Sequence, residues 1–290
     1  MPENLKVLRL RIRSIKKTKK ITRAMEMVSA AKLRKTEQII KAAKPFMKKI
    51  EQLIGRLAMS ETAKQHPLFQ KSETGYPLLV LFTSDRGLAG AFNTNMIKAA
   101  VVLLKENPRL RIFVIGRKGR DYMRKYFRDR IEGELADLLN SLDGKITDGL
   151  GKKLLDGFEN GTYSQIELLY PRFISTVSQK PTLERYLPME AEAFGVSAED
   201  AARTVDYIME PSPERVFDAI LPRYLKTKIY LTLAETYTSE HASRMMAMNN
   251  ATKNSNELSN MLTLRLNKAR QAAITTEIIE IVGGAEAQKG

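Results

Sequence analysis

Leu5-Lys6-Val7-Leu8-Arg9-Leu10-Arg11-Ile12-Arg13-Ser14-Ile15 opens the segment that decides the fold. Leu5, Leu8, Ile12 and Ile15 keep the three-four-three spacing of a coiled-coil seam, since residues so spaced share one face of a helix. Lys16-Lys17-Thr18-Lys19-Lys20 then dilutes that seam with charge, after which Met25, Val28, Ala31 or Lys32 and Ile39 resume a looser apolar stripe. Between Asn4 and Leu57 only Pro45 and Gly55 interrupt a run of helix formers, so one long helix or two nearly continuous ones are expected. Fully helical, this stretch would reach about 80 Å, more than a compact domain needs.

The other end of the chain mirrors this one. Ser212-Pro213 has the form of an N-cap followed by proline at the first helical position, and the helical pattern runs on to Val282, where Gly283-Gly284 is expected to stop it and Pro222 to kink or restart it. From Pro222 to Val282 the segment would span roughly 90 Å. Two long, narrowly amphipathic helices of matched length most simply pair with each other as an antiparallel coiled coil.

Between them the pattern alternates. Leu78–Phe82 reads as a strand, Asn95–Lys105 as a helix, Arg111–Ile115 as a strand, Arg120–Phe127 as a helix, Thr147–Phe158 as a helix and Gln165–Tyr170 as a strand. Val177–Leu187 reads as an antiparallel edge strand interrupted by Pro181. The expected fold class is therefore α/β plus a long α-helical coiled coil. A small, open, mainly parallel, Rossmann-like sheet is inserted between terminal helices, with boundaries at 1–60, 61–211 and 212–290. Residues 128–160 contribute only a weak, glycine-containing pattern.

The 290 residues contain no cysteine, which excludes a disulfide scaffold, thiolate zinc and thiol catalysis. Two histidines, His66 and His241, lie far apart without a metal-binding motif. The longest apolar run, Ala99–Leu104, falls far short of the roughly 20 residues that cross a bilayer. The formal charge is +15, and its placement is uneven: residues 1–60 hold 17 Lys/Arg against 4 acids, residues 61–220 hold 22 against 23, and residues 221–290 hold 9 against 6. Such a concentrated cationic stripe draws an anionic partner, whether nucleic acid, acidic lipid or an acidic protein surface. The stretch from Lys6 to Lys35 lacks an aromatic residue for stacking on bases, which weakens a nucleic-acid reading without removing it.

Thr83-Ser84-Asp85-Arg86-Gly87-Leu88-Ala89-Gly90 follows the first strand, where α/β folds often bind phosphate. It has neither GxGxxG nor GK[ST], so it reads as a structural turn in preference to a nucleotide loop. Gly116-Arg117-Lys118-Gly119-Arg120 reads likewise as a turn with a solvated basic patch. No carboxylate pair, GxSxG elbow or partnered histidine suggests catalysis. Ala247–Asn260 is unusual: it carries Asn249, Asn250, Asn254, Asn256 and Asn260, and between Met248 and Leu258 Ala251 alone is apolar. That helix must run through water or against polar surface. Beyond it Leu262, Leu266, Ala269, Ala273, Ile274, Ile278 and Ile281 restore an apolar helix whose end needs enclosure by another protein.

Ile21–Arg34 (ITRAMEMVSAAKLR), Asn267–Thr275 (NKARQAAIT) and Glu277–Ala285 (EIIEIVGGA) closely resemble the gamma subunit of F-type ATP synthases, of bacterial type. Thr83–Asn93, Gly116–Asp121 and Asp206–Leu225 are similar to that family's internal signatures, so the resemblance spans the chain. It implies a central rotor shaft, one copy per complex, inside a ring of alpha and beta subunits, with a foot on the epsilon subunit and the c-subunit membrane ring. By the same resemblance Met25 lies beside the beta levers, Arg270 and Gln271 meet an acidic catch loop of beta, and Ile274–Val282, with Ile278 and Ile281, forms the tip in a hydrophobic bearing. Lys16, Lys17, Lys19 and Lys20 would track acidic beta surfaces, and Tyr207 and Glu210 would be foot contacts. Met209 stands where some members have an aromatic residue, and Ala89 where a cysteine is common. The family implies no catalytic group, cofactor or metal on this chain, with Mg-ATP and Mg-ADP held by alpha and beta. It also implies a peripheral place on the cytoplasmic face of the bacterial plasma membrane and no nucleic-acid partner. The alternative carried alongside is a basic coiled-coil nucleic-acid binder.

Overall fold

The fold was taken from a computed structural model, which describes residues 5–58, 65–70, 72, 74–136, 144–190, 194 and 212–287. Helix α1 (Leu5–Leu57) is a single helix of 53 residues that continues through Pro45. The last helix, α5 (Pro213–Ala287), has 75 residues and continues through Pro222. It begins as its sequence requires: Ser212 Oγ accepts the Arg215 N–H at 3.4 Å, and the Ser212 carbonyl accepts the Val216 N–H at 3.1 Å. Gly283-Gly284 does not stop it. Neither glycine takes the positive φ of a C-cap, so the pair costs about 1 kcal/mol per glycine against alanine and the helix runs on to Ala287.

The chain forms two compact units, one of residues 1–29 with 245–290, the other of residues 30–244. The second holds a five-stranded sheet. Its elements are β1 (Tyr76–Phe82), α2 (Phe92–Glu106), β2 (Arg111–Ile115), α3 (Arg117–Tyr126), β3 (Ile131–Leu135), α4 (Gly144–Glu159), β4 (Tyr163–Phe173) and β5 (Gln179–Leu187). The strand order is β3-β2-β1-β4-β5. The first four are parallel neighbours, and β5 runs antiparallel to β4 at the edge, with Pro181 opposite Pro171. Edge placement spares Pro181 the ladder bond it cannot donate.

β1 is buried on both faces, and its alternation divides the core in two. Leu78, Val80 and Phe82 join Phe113, Ile115 and Leu168 against Met47 and Ile54 of α1, Leu150 and Leu154 of α4, and Phe217, Leu221 and Leu225 of α5. Leu79 and Leu81 join Ile112 and Val114 against Met96, Ala100 and Leu104 of α2 and Met123 of α3.

β3 is the element the sequence pattern concealed. Ile131-Glu132-Gly133-Glu134-Leu135 is partly buried throughout, so it lacks the sharp alternation of a half-buried strand. A Cβ on Gly133 would fall 2.4 Å from the Phe113 ring of β2, so glycine there makes room for the aromatic that covers the edge.

Candidate functional site

The terminal-helix unit is built on a short apolar ladder followed by polar rungs. Leu8 and Ile12 of α1 bury against Leu262 of α5, with Ile15, Leu266 and Ala269 packed around them. Toward Ser29 the seam changes chemistry. Lys19 Nζ donates to Asn256 Oδ1 at 2.6 Å, the Thr22 and Thr252 hydroxyls meet at 2.7 Å, and Asn249 Nδ2 donates to Glu26 Oε1 at 2.9 Å. As the α1 number rises the α5 number falls, so the pairing is antiparallel.

The α1 residues at this seam, 8, 12, 15, 19, 22, 26 and 29, alternate steps of four and three without a break. The looser stripe expected after Lys20 is only partly in phase: Val28 and Ala31 are exposed, Met25, Lys32 and Ile39 are half-buried, and the fully buried positions up to Ser29 are Thr22 and Ser29. Within the sheet unit the same alternation buries Leu33, Thr36, Ile40, Met47 and Ile54 of α1. Hydroxyl side chains at seam positions hid the register, although the spacing itself could have revealed it. The Asn-rich run of α5 does lie against polar surface, as its composition required.

Lys16, Lys17 and Lys20 are exposed, whereas Lys19 is partly buried by its bond to Asn256. The Glu26 carboxyl is held below its usual range, first by the Asn249 hydrogen bond and, against an opposing desolvation, by Arg23 and Lys253. Arg270 and Gln271 are exposed, and beyond them Ile274 is 47%, Ile278 55%, Ile281 70% and Val282 54% exposed. Tyr207 and Glu210 lie outside the described residues.

The turn after β1 is held by its own hydrogen bonds. Thr83 Oγ1 donates to the Ile115 carbonyl at 2.8 Å and accepts the Gly119 N–H at 2.9 Å. The Ser84 N–H donates to Asn93 Oδ1, and Asp85 Oδ1 accepts the Arg117 N–H, both at 3.0 Å. Gly116–Arg120 is tied to the same turn, with Lys118 N–H on the Ser84 carbonyl at 3.0 Å. The amides of Ser84, Arg117, Lys118 and Gly119 are thus engaged inside the fold. His66 caps the turn at Pro67–Phe69 through Nδ1. His241 is buried against Tyr237, and desolvation, then Arg244, Lys32 and Arg86, push it down to about 3. Among the described residues no group of His, Asp and Glu could hold a metal ion, and no helix is long and apolar enough to cross a membrane.

The family model described as ATP synthase matches residues 4–288. The chain is 41% identical to the ATP synthase gamma chain of Symbiobacterium thermophilum over the whole of both chains, and 42% identical to that of Moorella thermoacetica over 99% of each. The chain belongs to the ATP synthase gamma-chain family. Its fold is shared with the rotor of the Euglena gracilis mitochondrial ATP synthase, with a TM-score of 0.67 at 21% identity over 93% of this chain and 98% of that one. A chain of the Tetrahymena thermophila central stalk and c-ring matches with a TM-score of 0.58 at 23% identity, over 80% of this chain and 99% of that one. The nucleic-acid alternative finds no support in these likenesses.

Proposed function

We propose that this gamma chain is the rotating central shaft of an F-type ATP synthase, present once per complex inside a ring of alpha and beta subunits. The sheet unit serves as its foot on the epsilon subunit and the c-subunit ring, at the cytoplasmic face of the bacterial plasma membrane. The chain contributes no catalytic group; alpha and beta bind Mg-ATP and Mg-ADP. The observation that carries this reading is the exposed apolar row Ile274, Ile278, Ile281 and Val282 at the far end of α5. A row of that kind calls for a surrounding protein.

The mechanism follows from symmetry. Three chemically equivalent sites around one asymmetric pair of helices meet different faces at any angle, so each has a different balance of open and closed states. Turning the shaft moves that balance from site to site, and torque becomes a difference in nucleotide affinity. Contacts on such a shaft must push without locking. Exposed Lys16, Lys17 and Lys20 suit this, because water-facing charges lose little when they exchange partners. Met25 would meet the beta levers, Arg270 and Gln271 the catch loop, and Tyr207 and Glu210 the foot partners.

Two measurements test the proposal. The chain should copurify stoichiometrically with alpha, beta and epsilon subunits. Reversal of Lys17, Lys19 and Lys20 together to glutamate should weaken ATP-driven proton pumping by inverted membrane vesicles; unchanged pumping would refute the assignment.

A further inference from the structure

We propose that Arg244 is a positioning residue that fixes the rotation of α5 about its own axis on the sheet unit, with the turn Thr83–Gly90 as its socket. This rests on the shaft reading above, and adds to it the joint through which twist enters the C-terminal helix.

Arg244 is 6% exposed and touches the turn through its guanidinium. Nη2 donates to the Arg86 carbonyl at 3.2 Å and the Gly87 carbonyl at 3.1 Å, Nε reaches the Gly87 carbonyl at 3.3 Å, and Nη2 pairs with Glu240 Oε1 at 2.6 Å. The same helix face adds Ser243 Oγ on the Ala89 carbonyl and Ser239 Oγ on the Pro171 carbonyl, each at 2.8 Å. One face of α5 thus presents three donor side chains to backbone carbonyls of the sheet unit. The turn is shaped for them: Leu88, although not glycine, sits at φ 62°. Such a residue persists in a left-handed conformation only where its surroundings over-determine it.

Nearer the start of α5, Tyr186 Oη on the Leu225 carbonyl and the Lys228–Glu184 pair are also directional, but each is a single bond from one side chain, and the rest of the face is apolar. Phe217, Leu221, Leu225, Ile229 and Leu233 hold α5 to the sheet by apolar burial, which is strong but non-directional, and a helix can turn or slide by part of a residue on such a face. A carbonyl accepts along its lone pairs, so a planar guanidinium shared by two successive carbonyls admits one helix rotation. Lysine, a point charge on a flexible stem, keeps the charge but not the fork. Arginine buried in this arrangement makes rotational slip expensive, since slip would strand the Arg244 and Glu240 charges away from water.

The test uses the complete membrane-bound complex in inverted vesicles, measuring ATP hydrolysis and ATP-driven proton pumping on the same preparation. Arg244→Met should lower protons pumped per ATP about tenfold, the population shift expected when a charge-assisted set of hydrogen bonds is lost, while hydrolysis persists. Arg244→Lys should fall between it and the parent. Leu233→Ala, which weakens the same helix by apolar truncation, should leave the pumping-to-hydrolysis ratio unchanged. If Arg244→Met fails to assemble, Ser243→Ala, which removes one donor to the same turn, should lower the ratio about twofold. A ratio for the assembled Arg244 or Ser243 variants equal to that of Leu233→Ala overturns the proposal. Absence of the parent chain from the complex would instead overturn the shaft reading and leave the socket geometry intact.

Discussion

The sheet unit and the terminal-helix unit join the same two helices by different chemistry. In the first, α1 and α5 lie on a continuous apolar face that includes Met47, Ile54, Phe217, Leu221 and Leu225. In the second, six buried or half-buried apolar residues give way to Lys19–Asn256, Thr22–Thr252 and Glu26–Asn249. Apolar burial scales with area and tolerates imprecise partners, whereas a hydrogen-bonded rung specifies its partner and adds little net stability. One region supplies cohesion and the other supplies register. A single buried polar position can set coiled-coil register at a cost in stability, and here buried Thr22 is flanked by two more polar rungs that are less buried.

The contrast is broken most severely by truncating the cohesive region. Phe82, fully buried at the centre of the sheet, should cost about 3–5 kcal/mol when changed to alanine, read as a fall in the denaturant midpoint of the gamma chain within its complex. Leu8, nearly as buried, belongs to a two-helix seam that can close over a void, so Leu8→Ala should cost about 2–3 kcal/mol by the same measurement. Equal losses would mean that the terminal seam is as cohesive as the core.

How legible these regions were in the sequence follows from the same contrast. β1 and β2 announce themselves as apolar runs because parallel central strands are buried on both faces. The edge strand β3 does not, since Glu132, Gly133 and Glu134 carry no pattern until Phe113 is known to lie over Gly133. The apolar seam at Leu8, Ile12 and Ile15 was legible, but the polar seam was not, because hydrophobicity was the signal sought and Thr22 and Ser29 have none. Gly283-Gly284 misled for a related reason: glycine permits a helix stop without requiring one. The turn at Thr83–Gly90 reads as structural from the residues it lacks, while the role of Arg244 in holding it depends on a contact 157 residues away along the chain.

Acid should separate the two units. His241 is held down to about 3 by burial and by nearby cations, so its imidazole is neutral in the folded sheet unit while the unfolded chain binds a proton below about 6.5. Stability of that unit should therefore fall as pH drops from 6.5 toward 3. Replacing His241 with leucine should flatten that limb in melting temperatures measured at successive pH values. Glu26, whose carboxyl is lowered from 4.5, has the same sign of coupling but a lower window: its contribution is present above 4.5 and is lost as pH falls through its folded value. Glu26→Gln should leave the limb between 6.5 and 5 untouched.

The smallest effect sharpens the comparison most. Thr22 Oγ1 reaches its own helix at the Lys19 carbonyl, Thr252 Oγ1 reaches the Met248 carbonyl, and the two hydroxyls meet at 2.7 Å. Each hydroxyl has one proton, so one must donate across the seam while the other donates to its own helix. Changing either threonine to valine removes the crossing bond and leaves a hydroxyl that can still satisfy itself locally, at a cost of about 0.5–1 kcal/mol. Changing both should restore stability to near the starting value, because two apolar groups of the same shape replace a satisfied pair. The cycle of single and double variants, followed by thermal melting, should thus give a coupling energy of about 1 kcal/mol. Strictly additive losses would show that the rung does not join the helices, and that the register must come from Lys19–Asn256 and Glu26–Asn249 alone.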